Sequence, residues 1–453
     1  MITRSKSFKV VFENDNSAFI PEVWAQESLM ILEAQMIAAN LVHRDFEDNI
    51  ASFGDVVNTR MPGTFVAKRK TDTDAVTIQD ASATNVPVPL DQHLHTAFII
   101  KDGEETKGFK KLRDEYLVPG MLSIAQAIDE VLLNQAYDFL TYNVGQLGAG
   151  ATKTTVLELR ELMNTNKVPT EGRNLLVSPK VEADLLGIAD FTNAEKIGDD
   201  GTAMREGSLG RRFGYNVWMG QNVPSIVSGD SDAAALDGDH AVGATTIAIT
   251  GTSEVFVAGT WLTVAGDMTP QRIVTNTGDP STSLAITPGL KSACDSAAVV
   301  TVYSGVQVDN APDGYAVKYN KELTIDTVTP VPATGRLLSA GAVNYGLMSA
   351  PTATTVLLNR SLEAAAADEA LLGLGPIGDY CFGFHRNALA LVMRPLAAPQ
   401  PGTGALSYVA NFNGLAVRVT ITYEGRNQGH LVTIDTLCGI KTLDRRLGAV
   451  MLA

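Results

Sequence analysis

Gly54-Asp-Val-Val-Asn-Thr-Arg-Met-Pro62 and its return, Val86-Pro-Val-Pro-Leu90 running on to Thr96-Ala-Phe-Ile-Ile100, decide how this 453-residue chain is read. Both runs are rich in Val, Ile, Thr and Phe, residue types that suit a pleated surface. Between them lies a polar tip, Lys68-Arg69-Lys70-Thr-Asp72-Thr-Asp74, which carries both charge signs. Two prolines on the return strand suit an edge that must not pair indiscriminately. A long hairpin arm over residues 51–105 follows.

Upstream of this arm, residues 1–20 mix Arg4, Lys6 and Lys9 with Asn and Ser and keep no period, the pattern of an extended N-terminal arm. Pro21 then opens a helix, and Val23, Trp24, Leu29, Ile31, Leu32, Met36, Ile37 and Leu41 give it a broad apolar face through about Val42. Downstream, a helical pattern runs from about Leu112 to Leu140, interrupted near its start by Pro119-Gly120. Met121, Ile124, Ile128, Leu132 and Phe139 fall on one stripe, with Gln126, Asp129, Glu130 and Asn134 on the other side. At roughly 1.5 Å per residue it would be about 40 Å long, and its stripe implies a sheet packed against it.

Residues 151–225 alternate short helical and strand signals, as in Thr155–Met163, Asn174–Pro179 and Val181–Leu186, and predict a mixed α/β lobe. Near Ser228 the composition shifts to Gly, Ser, Thr, Asp, Ala and Val. Short alternating runs then recur at Thr245–Ile249, Thr260–Val264, Gln271–Thr275, Ser283–Thr287 and Ala298–Tyr303. About five strands at this spacing predict a small barrel or sandwich. From Asp230 to Asp313 ten acids stand against Arg272 and Lys291, so eight of the fifteen excess negative charges fall in this insertion. Beyond it, Ser361 reads as the N-cap of a helix over Leu362–Leu372. The tail is strand-rich at Tyr380–Leu396, Leu415–Tyr423 and Leu431–Leu437, and Gly425-Arg-Asn-Gln-Gly429 makes the last two a hairpin.

Composition narrows the function. Apolar residues make up 45% and charged residues 19%, a globular balance. No segment has signal-peptide or membrane-spanning character. The net charge of −15 argues against a general nucleic-acid binder. Cys294, Cys381 and Cys438 stand apart with no CxxC, so buried reduced thiols are expected. Gly373-Leu-Gly-Pro-Ile-Gly378 spells GxGxxG, but it follows a predicted helix and contains Pro376, so it reads as helix termination and not as a dinucleotide loop. His93 and His95 alternate on one strand face and make a weak metal pair, with Asp91 the only carboxylate nearby in sequence. His385 and His430 are isolated, and the Asp230–Asp239 cluster lacks EF-hand spacing. Asn359-Arg-Ser361 fits the glycosylation pattern only formally. No residue is assigned a catalytic, cofactor-binding or metal role, and no enzyme activity or cofactor is expected.

The order of parts resembles the Hong Kong 97-type capsid fold of tailed-bacteriophage coat proteins. Gly54–Pro62 looks like the outgoing strand of their extended loop. Val88–Phe98 resembles its return, leading into a spine helix with Leu122-Ser-Ile-Ala-Gln-Ala-Ile-Asp-Glu130. Phe382-Gly-Phe-His-Arg-Asn-Ala-Leu-Ala-Leu391, Thr433–Gly439 and Lys441–Gly448 are similar to their closing segments, and the inserted β-domain resembles coats of short-tailed phages of the Salmonella phage type. The resemblance implies an α+β fold. It divides into an N-terminal arm and first helix (1–50), an extended loop (51–105), a spine helix (106–150), central-domain parts (151–225 and 313–380), a β-rich insertion (226–312) and closing strands (381–453). It further implies self-assembly into hexamers and pentamers with scaffolding protein, a portal and, on some shells, a decoration protein. The shell would enclose double-stranded DNA without gripping its sequence, in the virion after assembly in the host cytoplasm. Some members crosslink a loop lysine to an asparagine on a neighbour; Lys68 and Lys70 sit at a suitable tip, where lysines otherwise serve to solvate an exposed edge, and the short-tailed group manages without the crosslink. An encapsulin-like shell, or an enzyme or adhesin with an appended β-domain, are the rival readings.

Overall fold

The computed structural model describes residues 21–44, 56–61, 67–70, 72, 76, 78–79, 84–101, 116–192, 207, 209–309, 315–316, 321–328, 330–348, 351–394, 396–400, 404–412 and 415–453. The arm read over residues 1–20 and much of the hairpin tip lie outside them. Two units partition the chain. The first takes Met1–Gln35, His93–Ile124 and Arg394–Leu437; the second takes Met36–Gln92, Ala125–Met393 and Cys438–Ala453.

In the first unit Leu406–Phe412, Leu415–Glu424 and Gly429–Thr442 form an antiparallel meander, and Gln92–Lys101 also pairs with Gly429–Thr442. The turn expected at Gly425–Gly429 is present, with Glu424 opposite Gly429. Val417, Val419 and Ile421 are buried while Arg418, Thr420 and Thr422 between them are less so, the period-two pattern of a sheet with one packed face. The helix Pro21–Gln35 packs across the first two strands and buries Ala25, Leu29 and Leu32, one helical stripe.

That helix is shorter than its apolar pattern predicts. It stops at Gln35, and a separate short helix, Ala38–Leu41, follows. The break has a local cause in the second unit. The Ile37 and Ala39 N–H groups donate to the Asp129 carboxylate at 2.9 and 3.1 Å, a capping arrangement that starts a new helix.

The long helix spans Val118–Asn134, about 26 Å, with Pro119 in its first turn where a missing N–H costs nothing. It tightens into a 3₁₀ turn over Gln135–Phe139, where the Asn344 side chain donates to the Tyr137 carbonyl. The expected 40 Å rod is therefore not formed. Met121, Ile124, Ile128, Leu132 and Phe139 are buried as the stripe predicted, but Asp129 and Asn134, expected on the outer side, are buried too.

The mixed lobe is built on a sheet ordered Asn143–Gly145, Gly448–Leu452, Gly378–His385, Arg173–Val177, Tyr215–Met219 and Arg211–Arg212. Its central strands are buried end to end, and Phe139, Phe382 and Phe384 stack through its core. Thr152 and Ser178 cap the helices Lys153–Thr165 and Pro179–Leu186 by accepting from Thr155 N and Val181 N.

The insertion is a closed barrel of six antiparallel strands, one more than the sequence predicted. Their order is Thr246–Thr250, Ser283–Thr287, Asp267–Thr277, Trp261–Val264, Val299–Tyr303 and Ser231–Leu236. The unforeseen strand, Ser231–Leu236, lacks β-branched residues and is held by pairing on both sides as the barrel closes. Leu236, Ile247, Leu262, Ile273, Leu284 and Val300 fill its core.

A second small sheet, Val306–Gln307, Leu371–Leu374, Leu337–Ala340 and Val343–Gly346, has its own core of Leu338, Tyr345, Val356, Leu362, Leu372 and Leu374. The helix predicted over Leu362–Leu372 is absent; short strands stand at Ala366–Ala367 and Leu371–Leu374. Alanine preferences of a few tenths of a kcal/mol are outweighed by burying Leu362, Leu372 and Leu374 in that core. Ser361 caps no helix there; its N–H and hydroxyl both donate to Asp91.

Candidate functional site

The sequence names no catalytic residue, so the candidate site is a surface: the hairpin arm and the ground it stands on. Val56–Met61 and Thr84–Pro89 pair in full antiparallel register, Val56 opposite Pro89 through Met61 opposite Thr84. At its base Val57 and Val88 face each other and are buried. Farther out, Lys68, Arg69, Lys70 and Asp72 are exposed, and Val76 and Ile78 are 72% and 89% exposed. Directly after the return strand the Asp91 carboxylate accepts from the Ser361 N–H and hydroxyl, both at 2.8 Å, and its carbonyl accepts from Lys321 Nζ.

The barrel is fastened to the lobe rather than tethered. Lys291 Nζ donates to the Asn143 carbonyl at 2.6 Å and to its side-chain oxygen, and Leu147 N–H donates to the Met268 carbonyl at 3.1 Å. Asp267, fully buried, accepts from Thr269 Oγ1 at 2.7 Å, Gln271 Nε2 at 3.1 Å and the Lys291 and Ser292 N–H groups. Asn143, Glu158, Asp267, Thr269, Lys291 and Ser292 are among the residues that line an open cleft of about 510 Å³ at this seam. On another flank Trp261 Nε1 donates to Ser339 Oγ at 2.9 Å, and Arg272 donates to the Gly341 carbonyl. A Cβ on Gly373 would lie 2.3 Å from the Gly259 carbonyl oxygen, so the small sheet and the barrel meet backbone to backbone there. The GxGxxG glycines thus serve close packing between strands, not helix termination as expected: a Cβ on Gly375 would strike Leu337 and one on Gly378 would strike Leu147.

The other singled-out residues take structural places. His93 and His95 share a face with ring centroids 6.2 Å apart, but the carboxylate brought to them is Asp435, 3.5 Å from His93 Nε2, not Asp91. Asp435 is already held by Arg418 through Nε at 2.9 Å and Nη2. His385 accepts from Asn387 N–H at a turn, and burial, followed by the nearby Arg173 charge, lowers its pKa. His430 packs edge-on against Tyr423. In the acidic cluster Asp239 accepts from Ser296 N–H at 2.8 Å. Asn359 is buried and bonded to Gly346 N–H and Gln135, so its formal glycosylation pattern is not presented. Cys294, Cys381 and Cys438 are free and buried, as expected, and burial pushes the last two thiols up to about 12. Among the described residues no three His, Cys, Asp or Glu side chains gather as metal ligands.

Two buried polar groups were not foreseen. Asp138 forms a bidentate pair with Arg360, at 2.7 and 3.2 Å, and also accepts from Gln135 and Thr442. Asp129 is pushed up to about 6 by burial, against the pull of the Ile37, Ala39 and Ala38 N–H groups. The uninterrupted apolar trio Val131-Leu-Leu133 just after it widens the apolar face toward Asp129, the sequence signal that pointed to its burial, while Ser123 and Gln126 stay exposed.

The chain matches no family model and no curated protein. Among solved structures it is similar to a chain of Mycobacterium phage Che8, at 13% identity and TM-score 0.44, with 92% of this chain and 91% of that chain covered. A second is from the capsid structure of the cyanophage P-SCSP1u, at 11% identity and TM-score 0.45, covering 92% and 88%. A third is from the capsid of Ralstonia phage GP4, at 10% identity and TM-score 0.40, covering 91% and 86%.

Proposed function

We propose that this chain is the coat subunit of a tailed-phage head, a structural protein that assembles into a closed icosahedral shell of hexamers and pentamers around double-stranded DNA. The observation that carries this reading is the arm. Among the described residues Val56–Met61 and Thr84–Pro89 form a sheet of two strands that no third strand joins, and a lone two-stranded ribbon is marginally stable in water. Such an arm, with Val76 and Ile78 bare, is made to lie on another surface. Identical subunits close a shell through repeated heterologous contacts around symmetry axes, and protruding arms enlarge those contacts beyond what a compact face offers. The arm, long helix, mixed lobe with inserted barrel and closing strands follow in the order that the sequence resemblance implies. In this reading scaffolding protein and a portal guide closure, and the shell belongs to the virion.

Electron microscopy of the purified chain, alone and with its scaffolding protein, tests the proposal. Closed shells of uniform size are expected. A chain that stays below a few hundred kilodaltons under every assembly condition refutes it, and shells that carry an enzyme cargo in place of DNA would move the reading to an encapsulin.

A further inference from the structure

Four separated parts of the chain converge at the base of the hairpin arm, within the second unit, and we propose that they form a clamp, centred on Asp91, that sets the direction of the arm. Only Leu90 separates Asp91 from the return strand Thr84–Pro89. One oxygen of its carboxylate takes both donors of Ser361, N–H and hydroxyl, at 2.8 Å each. Its carbonyl takes the ammonium of Lys321, the residue that leads into the strand Glu322–Thr324. The arm's backbone also rests on Gly439, where a Cβ would stand 2.1 Å from the Pro89 carbonyl oxygen and 3.2 Å from Leu90 Cα. Only glycine allows that approach.

The geometry matters because the arm is a lever. Its six-residue strands alone reach about 20 Å from the joint, so a swing of about 10° displaces their far end by roughly 3 Å, more than a hydrogen bond tolerates. A loose joint would spread the arm tip over many positions, and the cost of gathering it would fall on each contact between copies. Asp91 is therefore a positioning residue for the intersubunit contact, a role that rests on reading the arm as that contact.

The test uses the full chain before assembly, with nitroxide labels at Lys70→Cys on the arm and Thr154→Cys on the lobe helix. The three native cysteines are buried and stay unlabelled. With Asp91 intact the label-to-label distance should be a single narrow distribution. Asp91→Ala, which removes the acceptor for both Ser361 donors, and Gly439→Ala, which lifts the arm from its seat, should each broaden it while the unfolding temperature of the lobe holds. Asp91→Asn keeps an acceptor oxygen and should restore the narrow distribution. An equally narrow distribution in Asp91→Ala overturns the clamp whether or not the chain forms shells. A broadened Asp91→Ala chain that still assembles with unchanged yield and size overturns its positioning role. Failure of the unaltered chain to assemble sinks the coat reading alone, because the distances decide the clamp independently.

Discussion

Asp129→Asn is the substitution whose consequence can be worked out most fully. The carboxyl sits at about 6 in the folded chain against its ordinary 3.8, because burial on the long helix outweighs the N–H groups of Ile37, Ala39 and Ala38. A folded-state value above the unfolded one means that the folded chain holds the proton more tightly. The resulting stability is fully present below pH 3.8 and is lost as pH rises through about 6, a total of about 3 kcal/mol. Asparagine keeps one acceptor oxygen for the Ile37–Ala39 backbone, fills the same space and does not titrate. Unfolding of wild type and variant is then compared at each pH from 4 to 7, so that every other titrating group cancels in the difference. Wild type should lose about 2 to 3 kcal/mol relative to the variant across that range. A difference that stays flat with pH, or that runs in the opposite direction, would show that the Asp129 carboxylate is not desolvated and that the break after Gln35 has another origin.

Three further outcomes follow from the same structure. Asp138→Asn leaves the Arg360 guanidinium buried opposite a neutral partner, and breaking such a pair should cost about 3 to 5 kcal/mol in chemical denaturation; a cost under about 1 kcal/mol would mean the pair is solvated. Gly373→Ala places a methyl against the Gly259 carbonyl and should destabilise by about 1 to 3 kcal/mol while making the barrel root newly sensitive to protease. Deletion of residues 228–310 also takes Val306–Gln307 and Val308 from the small sheet; it should leave the long helix and the closing strands folded but lower the yield of correctly sized shells; unchanged size and yield would remove the insertion from assembly.

What was legible in the sequence is what repeats locally. The Leu415–Glu424 hairpin could be read because strict alternation flanks a Gly-bounded turn, and most barrel strands because β-branched residues recur between turn signals. Ser231–Leu236 was invisible because its strand state comes from two neighbours closing a barrel, not from its own Ala-rich composition. The run Leu362-Glu-Ala-Ala-Ala-Ala failed in the reverse sense: a strong local helix preference lost to the burial of Leu362 and to a serine engaged by a residue 270 positions away. His93 found Asp435 and not its sequence neighbour Asp91 for the same reason. The arm joint was beyond sequence reading altogether, since Asp91, Lys321, Ser361 and Gly439 share no local pattern.

The barrel's charges carry one more step. Arg272 and Lys291 are the only cations from Asp230 to Asp313, and the structure spends both on fastening: Lys291 to Asn143 and Arg272 to Gly341. Asp267 is likewise turned inward. What remains outside is Asp230, Asp232, Asp237, Asp239, Glu254, Asp279 and Asp295, all exposed and of one sign. Like charges within a Debye length of about 8 Å repel at physiological salt. In the proposed shell, two barrels meeting face to face would confront each other with no cation free to intervene. On the coat reading we propose that the insertion would serve closure through the lobe it is bonded to at Asn143 and Leu147, with its free face toward solvent. On that proposal, loosening Lys291 from Asn143 should lower the yield of closed shells more than altering any one of those exposed acids, and an equal effect would refute it.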